Sequence, residues 1–90
     1  MTNGYPDEDE LKALKNLDPM DFDAGARLLC NLFTESGYGR AEYSRGKLTL
    51  ITGGWSGCEE MIEAINWIWR SLYWESSHRG GKHVYKRMRR

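Results

Sequence analysis

Two cysteines, Cys30 and Cys58, are all the thiol chemistry this 90-residue chain holds. They lie far apart, without a C-x-x-C pairing, each inside a segment that reads as helix. Both therefore read as core thiols, and a reducing, cytoplasmic setting is expected. No apolar run approaches the roughly 20 residues of a spanning helix, and residues 1–10 are acidic, without the basic and apolar regions of a secretory leader. Neither a membrane partner nor export is expected. The phosphate-cradle patterns G-x-x-x-x-G-K-[ST] and G-x-G-x-x-G are missing. Histidine is confined to His78 and His83, fewer than the three or about four ligands zinc takes, so no metal and no cofactor is expected.

What is present suits one globular domain spanning residues 1–90, with 40% hydrophobic residues and a single modest core. Its formal net charge is zero, yet the charge is sorted along the chain. Residues 1–36 carry eight acidic and three basic side chains, residues 37–75 five and four, and residues 76–90 none and six. Such asymmetry points to a partner or to attraction within the chain.

Asp7 and Glu10 fit a capping box, and Leu11, Leu14 and Leu17 follow at helical spacing, which predicts a first helix over residues 7–16. Asp18-Pro19 reads as a second start, with Phe22, Ala26, Leu29, Leu32 and Phe33 on one stripe and Gly37 as the stop. This places a second helix over residues 20–35. The period then becomes two: around Arg45-Gly46 a two-residue turn pairs Tyr43 with Leu48 and Ala41 with Leu50 on one face. Ser56 with Glu59 reads as an S-x-x-E box opening a third helix that Asn66 closes, while residues 67–72 suit either continued helix or strand. Residues 73–79 and 82–88 flank Gly80-Gly81. A two-residue turn there sets Glu75 opposite Lys86, Trp74 opposite Arg87 and His78 opposite His83. The expected fold is α+β: an acidic helical segment, residues 1–36, then a ββαββ unit, residues 37–88, with a four-stranded antiparallel sheet and helices on one face.

Catalytic constellations fit poorly. Gly54-Trp55-Ser56-Gly57-Cys58 has cysteine where G-x-S-x-G needs glycine, and no acid–base partner stands beside Ser56, so no enzyme and no catalytic residue is expected. The run from Arg79 to Arg90 interleaves Lys82, His83, Tyr85, Lys86, Arg87, Arg89 and Arg90, a pattern suited to phosphate contact with base stacking. Trp55, Trp67, Trp69, Tyr73 and Trp74 are denser than a core of this size needs, so some are expected at the surface as anchors for a protein partner.

Thr52-Gly53-Gly54-Trp55-Ser56-Gly57 followed by Glu59-Glu60, with Trp74-Glu75-Ser76-Ser77, Arg79-Gly80-Gly81 and Tyr85, resembles a family of short bacteriophage and prophage proteins of uncharacterised function. The likeness spans residues 37–87, and Cys58 departs from the polar residue usual at its position. The resemblance implies action in the host bacterial cytoplasm and supplies no catalytic residue. By analogy with other small phage proteins it implies binding, and inhibition, of a host protein or ribonucleoprotein complex, such as a defence nuclease. The expected contact residues are Trp55, Trp74, His78, Arg79, Lys82, His83, Tyr85, Lys86 and Arg87. Nucleic-acid binding through the basic C-terminal hairpin is the alternative.

Overall fold

The computed structural model describes residues 1–87, and among these the elements run ααββααββ, an α+β architecture around a four-stranded antiparallel sheet. Helix α1, Glu8–Lys15, opens with the expected reciprocal cap: the Glu10 amide donates to Asp7 Oδ1 at 2.8 Å and the Asp7 amide to Glu10 Oε1 at 2.9 Å. Helix α2, Phe22–Ser36, starts later than expected. Asp18-Pro19 instead forms a turn in which Asp18 Oδ1 accepts the Met20 amide at 2.9 Å, and Asp21 caps the helix by accepting the Ala24 amide at 3.0 Å. Gly37, at φ 76°, ends it as expected.

Strands β1, Arg40–Ser44, and β2, Lys47–Ile51, pair in the expected register, with Tyr43 opposite Leu48 and Ala41 opposite Leu50. Arg45 occupies the turn at φ 51°, a left-handed conformation that costs a non-glycine residue roughly 1 kcal/mol or more. Strands β3, Trp74–His78, and β4, Lys82–Lys86, form the second hairpin, and the sheet order is β1-β2-β4-β3.

The second hairpin departs from expectation by one residue. Its turn holds Arg79 as well as Gly80 and Gly81, so His78 faces Lys82, and Ser77, not His78, faces His83. The Thr52 amide donates to the Gly81 carbonyl at 2.9 Å, which holds Gly81 outside the β3–β4 ladder. Gly81 lies at φ 79°, and a Cβ there would run into Thr52 Oγ1, so only glycine fits. The two glycine-bearing motifs thus touch each other. A bulge between Trp74 and Ser76 then sets Trp74 opposite Tyr85 rather than Arg87, while Glu75 still reaches Lys86, Oε1 to Nζ 3.1 Å. Met88, expected to end this strand, lies outside the described residues.

Between the hairpins stand two helices, α3, Ser56–Ala64, and α4, Trp67–Tyr73. The expected S-x-x-E box does not form: Trp55 is the cap residue and makes no side-chain cap bond. Asn66 opens a helix instead of closing one. Its Oδ1 accepts the Ile68 and Trp69 amides at 3.0 and 3.2 Å, and its Nδ2 donates to the Lys15 carbonyl at 3.1 Å. Asparagine serves either end of a helix, and here the contact to α1 selects the N-cap.

Helices cover one face of the sheet. Leu48, Leu50 and Tyr85, with Ala41 and Tyr43 beside them, meet Leu14, Phe22, Leu29, Phe33, Met61 and Trp69 in a single core. Trp69 is its centre: fully buried, stacked on Phe22 at 5.4 Å and 2°, and edge-on to Tyr73 at 5.2 Å. Gly25 of α2 gives it room, because a Cβ there would sit 2.5 Å from the indole nitrogen. By strand alternation the other face presents Arg40, Glu42, Lys47, Thr49, Ile51, Lys82 and Lys86, with Val84 buried among them, and none of these joins the helix-side core cluster.

Candidate interaction surfaces

The corner Gly53–Gly57 binds the N-terminus of its own chain. Trp55 lies between Tyr38 and Tyr5, ring centroids 4.1 and 5.0 Å away, and its Nε1–H donates to the Gly4 carbonyl at 3.3 Å. The Ser36 hydroxyl donates to the same carbonyl at 3.1 Å, and the Ser56 and Tyr5 hydroxyls share a hydrogen bond of 2.8 Å. Trp55 is half-buried in this intramolecular latch, so much of the ring expected to meet a partner is already engaged.

The exposed indoles lie on α4 and β3. Trp67 is 70% exposed and Trp74 53% exposed, whereas Trp69 and Tyr73 belong to the core. On α4, Trp67, Ile68, Ser71 and Leu72 share the outward face at helical spacing, all exposed. Ser71 and Trp74 then border a cleft of about 470 Å³ between α4 and β3, whose floor is Ile62, Tyr85 and His83 and whose cation is Arg70. Strand β3 ends the sheet order, so the cleft lies beside a strand with no neighbour on its far side.

Inside the cleft, Trp74 Nε1–H donates to Ser77 Oγ at 2.9 Å, and Ser77 Oγ and His83 Nδ1 share a hydrogen bond of 2.9 Å. Burial holds the His83 imidazole below its ordinary pKa, which favours the neutral ring. Among the described residues no carboxylate is hydrogen-bonded to His83, so the pair lacks the group that orients a catalytic histidine. The arrangement rigidifies Trp74. His78 turns away and bonds Ser76 Oγ through Nε2 at 3.0 Å. Tyr85 is 1% exposed, and burial pushes its phenol up to about 12; it is a core residue that reaches the cleft only as part of its floor.

The cations sort by layer. Residues 1–39 and 52–73, the helical layer with its loops, carry eleven acidic and four basic side chains, whereas the sheet segments 40–51 and 74–87 carry two and seven. Lys82 and Lys86 lie on the helix-free face beside Arg40 and Lys47, and Arg79 sits in the hairpin turn. Arg87 leaves this group: its amide donates to the Gly46 carbonyl at 2.8 Å and its guanidinium to Tyr43 Oη at 3.1 Å, on the helix side. By strand alternation the helix-free face carries, among the described residues, no Trp, Tyr or Phe and only the His78 imidazole, so the basic and large aromatic residues interleaved in the sequence separate in space.

Among the described residues no group of three or more His, Cys, Asp or Glu gathers as a metal set. Cys58 is buried at 3.7 Å from Ser36 Oγ, Cys30 is half-buried, and both are free, with burial raising both thiols. No helix among them is long and apolar enough to cross a membrane. The chain matches no protein-family model, no curated protein and no solved structure.

Proposed function

We propose that this chain is a non-enzymatic, phage-type binding protein that occupies, and thereby inhibits, a site on a protein or ribonucleoprotein complex of the bacterial host, as an anti-defence inhibitor would. One observation carries the reading: Trp67, Ile68, Leu72 and Trp74 stay exposed beside a cleft although the core is already closed by Trp69 and Tyr85. Large aromatic side chains at the rim of a concavity supply most of the energy in protein interfaces, and contiguous exposed apolar surface marks such sites. Arg70 in the cleft suits a partner whose apolar anchor is flanked by an acidic group. Trp67 joins Trp74 as an anchor in this reading, and Trp55 is assigned to the latch.

The test is capture from bacterial lysate with wild-type protein and with the Trp67→Ala/Trp74→Ala variant, whose circular dichroism checks that it folds. Both rings are exposed, so folding is expected to survive while the specific captured species disappears. An unchanged set of captured proteins would sink the proposal.

A second reading, nucleic-acid binding, is favoured by the layered charge. Arg40, Lys47, Lys82 and Lys86 on a helix-free face suit phosphate contacts, and a face with His78 but no Trp, Tyr or Phe predicts little base preference. Nuclease treatment of the lysate separates the two readings, because capture through the sheet is lost and capture through the tryptophans is not.

A further inference from the structure

We infer that a concavity of about 660 Å³ between α2 and the β1–β2 turn is a binding site for a phosphate group. Three guanidinium side chains line it: Arg27 from α2, Arg45 from the turn and Arg87 just past β4, with Asn31 as a polar neighbour. A chain of hydrogen bonds orders two of them. Arg27 Nε donates to Asp23 Oδ2 at 2.8 Å, Tyr43 Oη donates to Asp23 Oδ1 at 2.6 Å, and Arg87 donates to Tyr43 Oη at 3.1 Å.

Asp23 is the one carboxylate of the lining, and its two oxygens are engaged by Tyr43 and Arg27. Its carboxyl is held below the usual range, first by the Tyr43 hydrogen bond and then by Arg27, so it stays ionised and fixes the frame. The lining is left with two positive charges in excess. Among the described residues neither Arg45 nor Arg87 forms a salt bridge with a carboxylate.

Arginine is the side chain suited to phosphate, because its planar fork donates parallel hydrogen bonds to two oxygens of one anion. Arg45 adds an independent argument. A positive-φ position in a two-residue turn favours glycine or asparagine, yet this one holds arginine, aimed at the same concavity as two others. The volume suits a ligand the size of a nucleotide. The site is on the helix side of the first hairpin, formed by none of the tryptophans proposed to bind protein, and stands or falls independently of them.

The experiment is an amide-shift titration of the whole chain with inorganic phosphate at low salt, then with a mononucleotide and a single-stranded oligonucleotide. Saturable shifts are expected at residues 43–46, at Arg87 and along residues 27–31. Arg45→Gly relieves the left-handed turn while removing one cation, so its melting temperature should equal or exceed that of wild type while phosphate affinity falls about tenfold, the scale of one charge-assisted hydrogen bond. Arg45→Gly/Arg87→Gln should abolish binding. Tighter binding of the mononucleotide than of phosphate, unimproved in the oligonucleotide, identifies a free nucleotide as the source. Tighter binding of the oligonucleotide, lost steeply with salt, identifies a polynucleotide backbone. No saturable binding of any of the three probes, or unchanged affinity in both variants, overturns the assignment.

Discussion

Replacing Gly25 by alanine sets two effects of opposite sign against each other. Alanine in a helix interior is worth about 1 kcal/mol over glycine, so propensity alone predicts a more stable protein. The new methyl would stand 2.5, 2.6 and 2.7 Å from Nε1, Cε2 and Cζ2 of Trp69. Carbon contacts settle at about 3.5–4.0 Å, so ring or helix must retreat by roughly 1 Å. Retreat is obstructed, because Trp69 is fully buried, stacked on Phe22, edge-on to Tyr73 and bonded through Nε1–H to the Asp21 carbonyl at 3.3 Å. Overpacking costs about 1–3 kcal/mol and a strained buried hydrogen bond about 1 kcal/mol more, so the net is a loss of about 2 kcal/mol. For a domain this size that lowers Tm by about 8–16 °C, measurable by thermal melts and urea titration. Gly25→Ala in a Trp69→Phe background should lose distinctly less, giving a coupling of about 1 kcal/mol in the double-mutant cycle. A Gly25→Ala melt at or above the wild-type temperature would show helix propensity acting unopposed and refute the packing assigned to Trp69.

Two further outcomes are expected. Trp55→Ala should cost about 2–3 kcal/mol and release residues 2–6, seen as faster amide exchange there, because the stacking on Tyr5 and Tyr38 and the bond to Gly4 go together; unchanged exchange would refute the latch. Burial lowers the His83 pKa below 6.5, so the unfolded chain takes up the proton first. Stability from this residue is full above pH 6.5 and is lost as pH falls through 6.5 to the folded-state value. Between pH 7.0 and 5.5 the Tm of wild type should fall while that of His83→Gln falls less. Asp7 and Asp23, both lowered from 3.8, act at lower pH, and the raised Met1 amine acts above 8.0. Parallel pH profiles would contradict the burial of His83.

Elements specified by local chemistry were legible in the sequence, and those decided by distant contacts were not. The Asp7–Glu10 cap, the Gly37 stop and the register about Arg45-Gly46 depend on residues a few positions apart, and all are present. Ser56 failed as a cap because Tyr5, distant in sequence, takes its hydroxyl, and Asn66 changed role because Lys15 offers it a carbonyl. Arg79 joined Gly80 and Gly81 in the second turn, where Thr52 holds the Gly81 carbonyl, so His78 moved by one partner, and the bulge after Trp74 moved that residue by two. The same limit governs the surfaces. Aromatic surplus signalled that some rings must be exposed, but which ones followed from packing: Trp69 and Tyr85 went inward, Trp67 and Trp74 stayed out. The arginine cluster was hidden because Arg27, Arg45 and Arg87 are separated by long stretches of chain, and only the left-handed Arg45 in its turn could have drawn attention to it.

Charge sorted by layer has a consequence for how this protein meets other molecules at a distance. Its net charge is zero, so a distant ion feels little, yet the Cα trace spans 40 × 27 × 19 Å, and even the shortest extent exceeds the Debye length of ~8 Å at physiological salt. Each broad face therefore acts as a separate electrode. At low salt the same molecule should be retained by both cation and anion exchangers, and an approaching partner is turned to the correct face before any side chain makes contact.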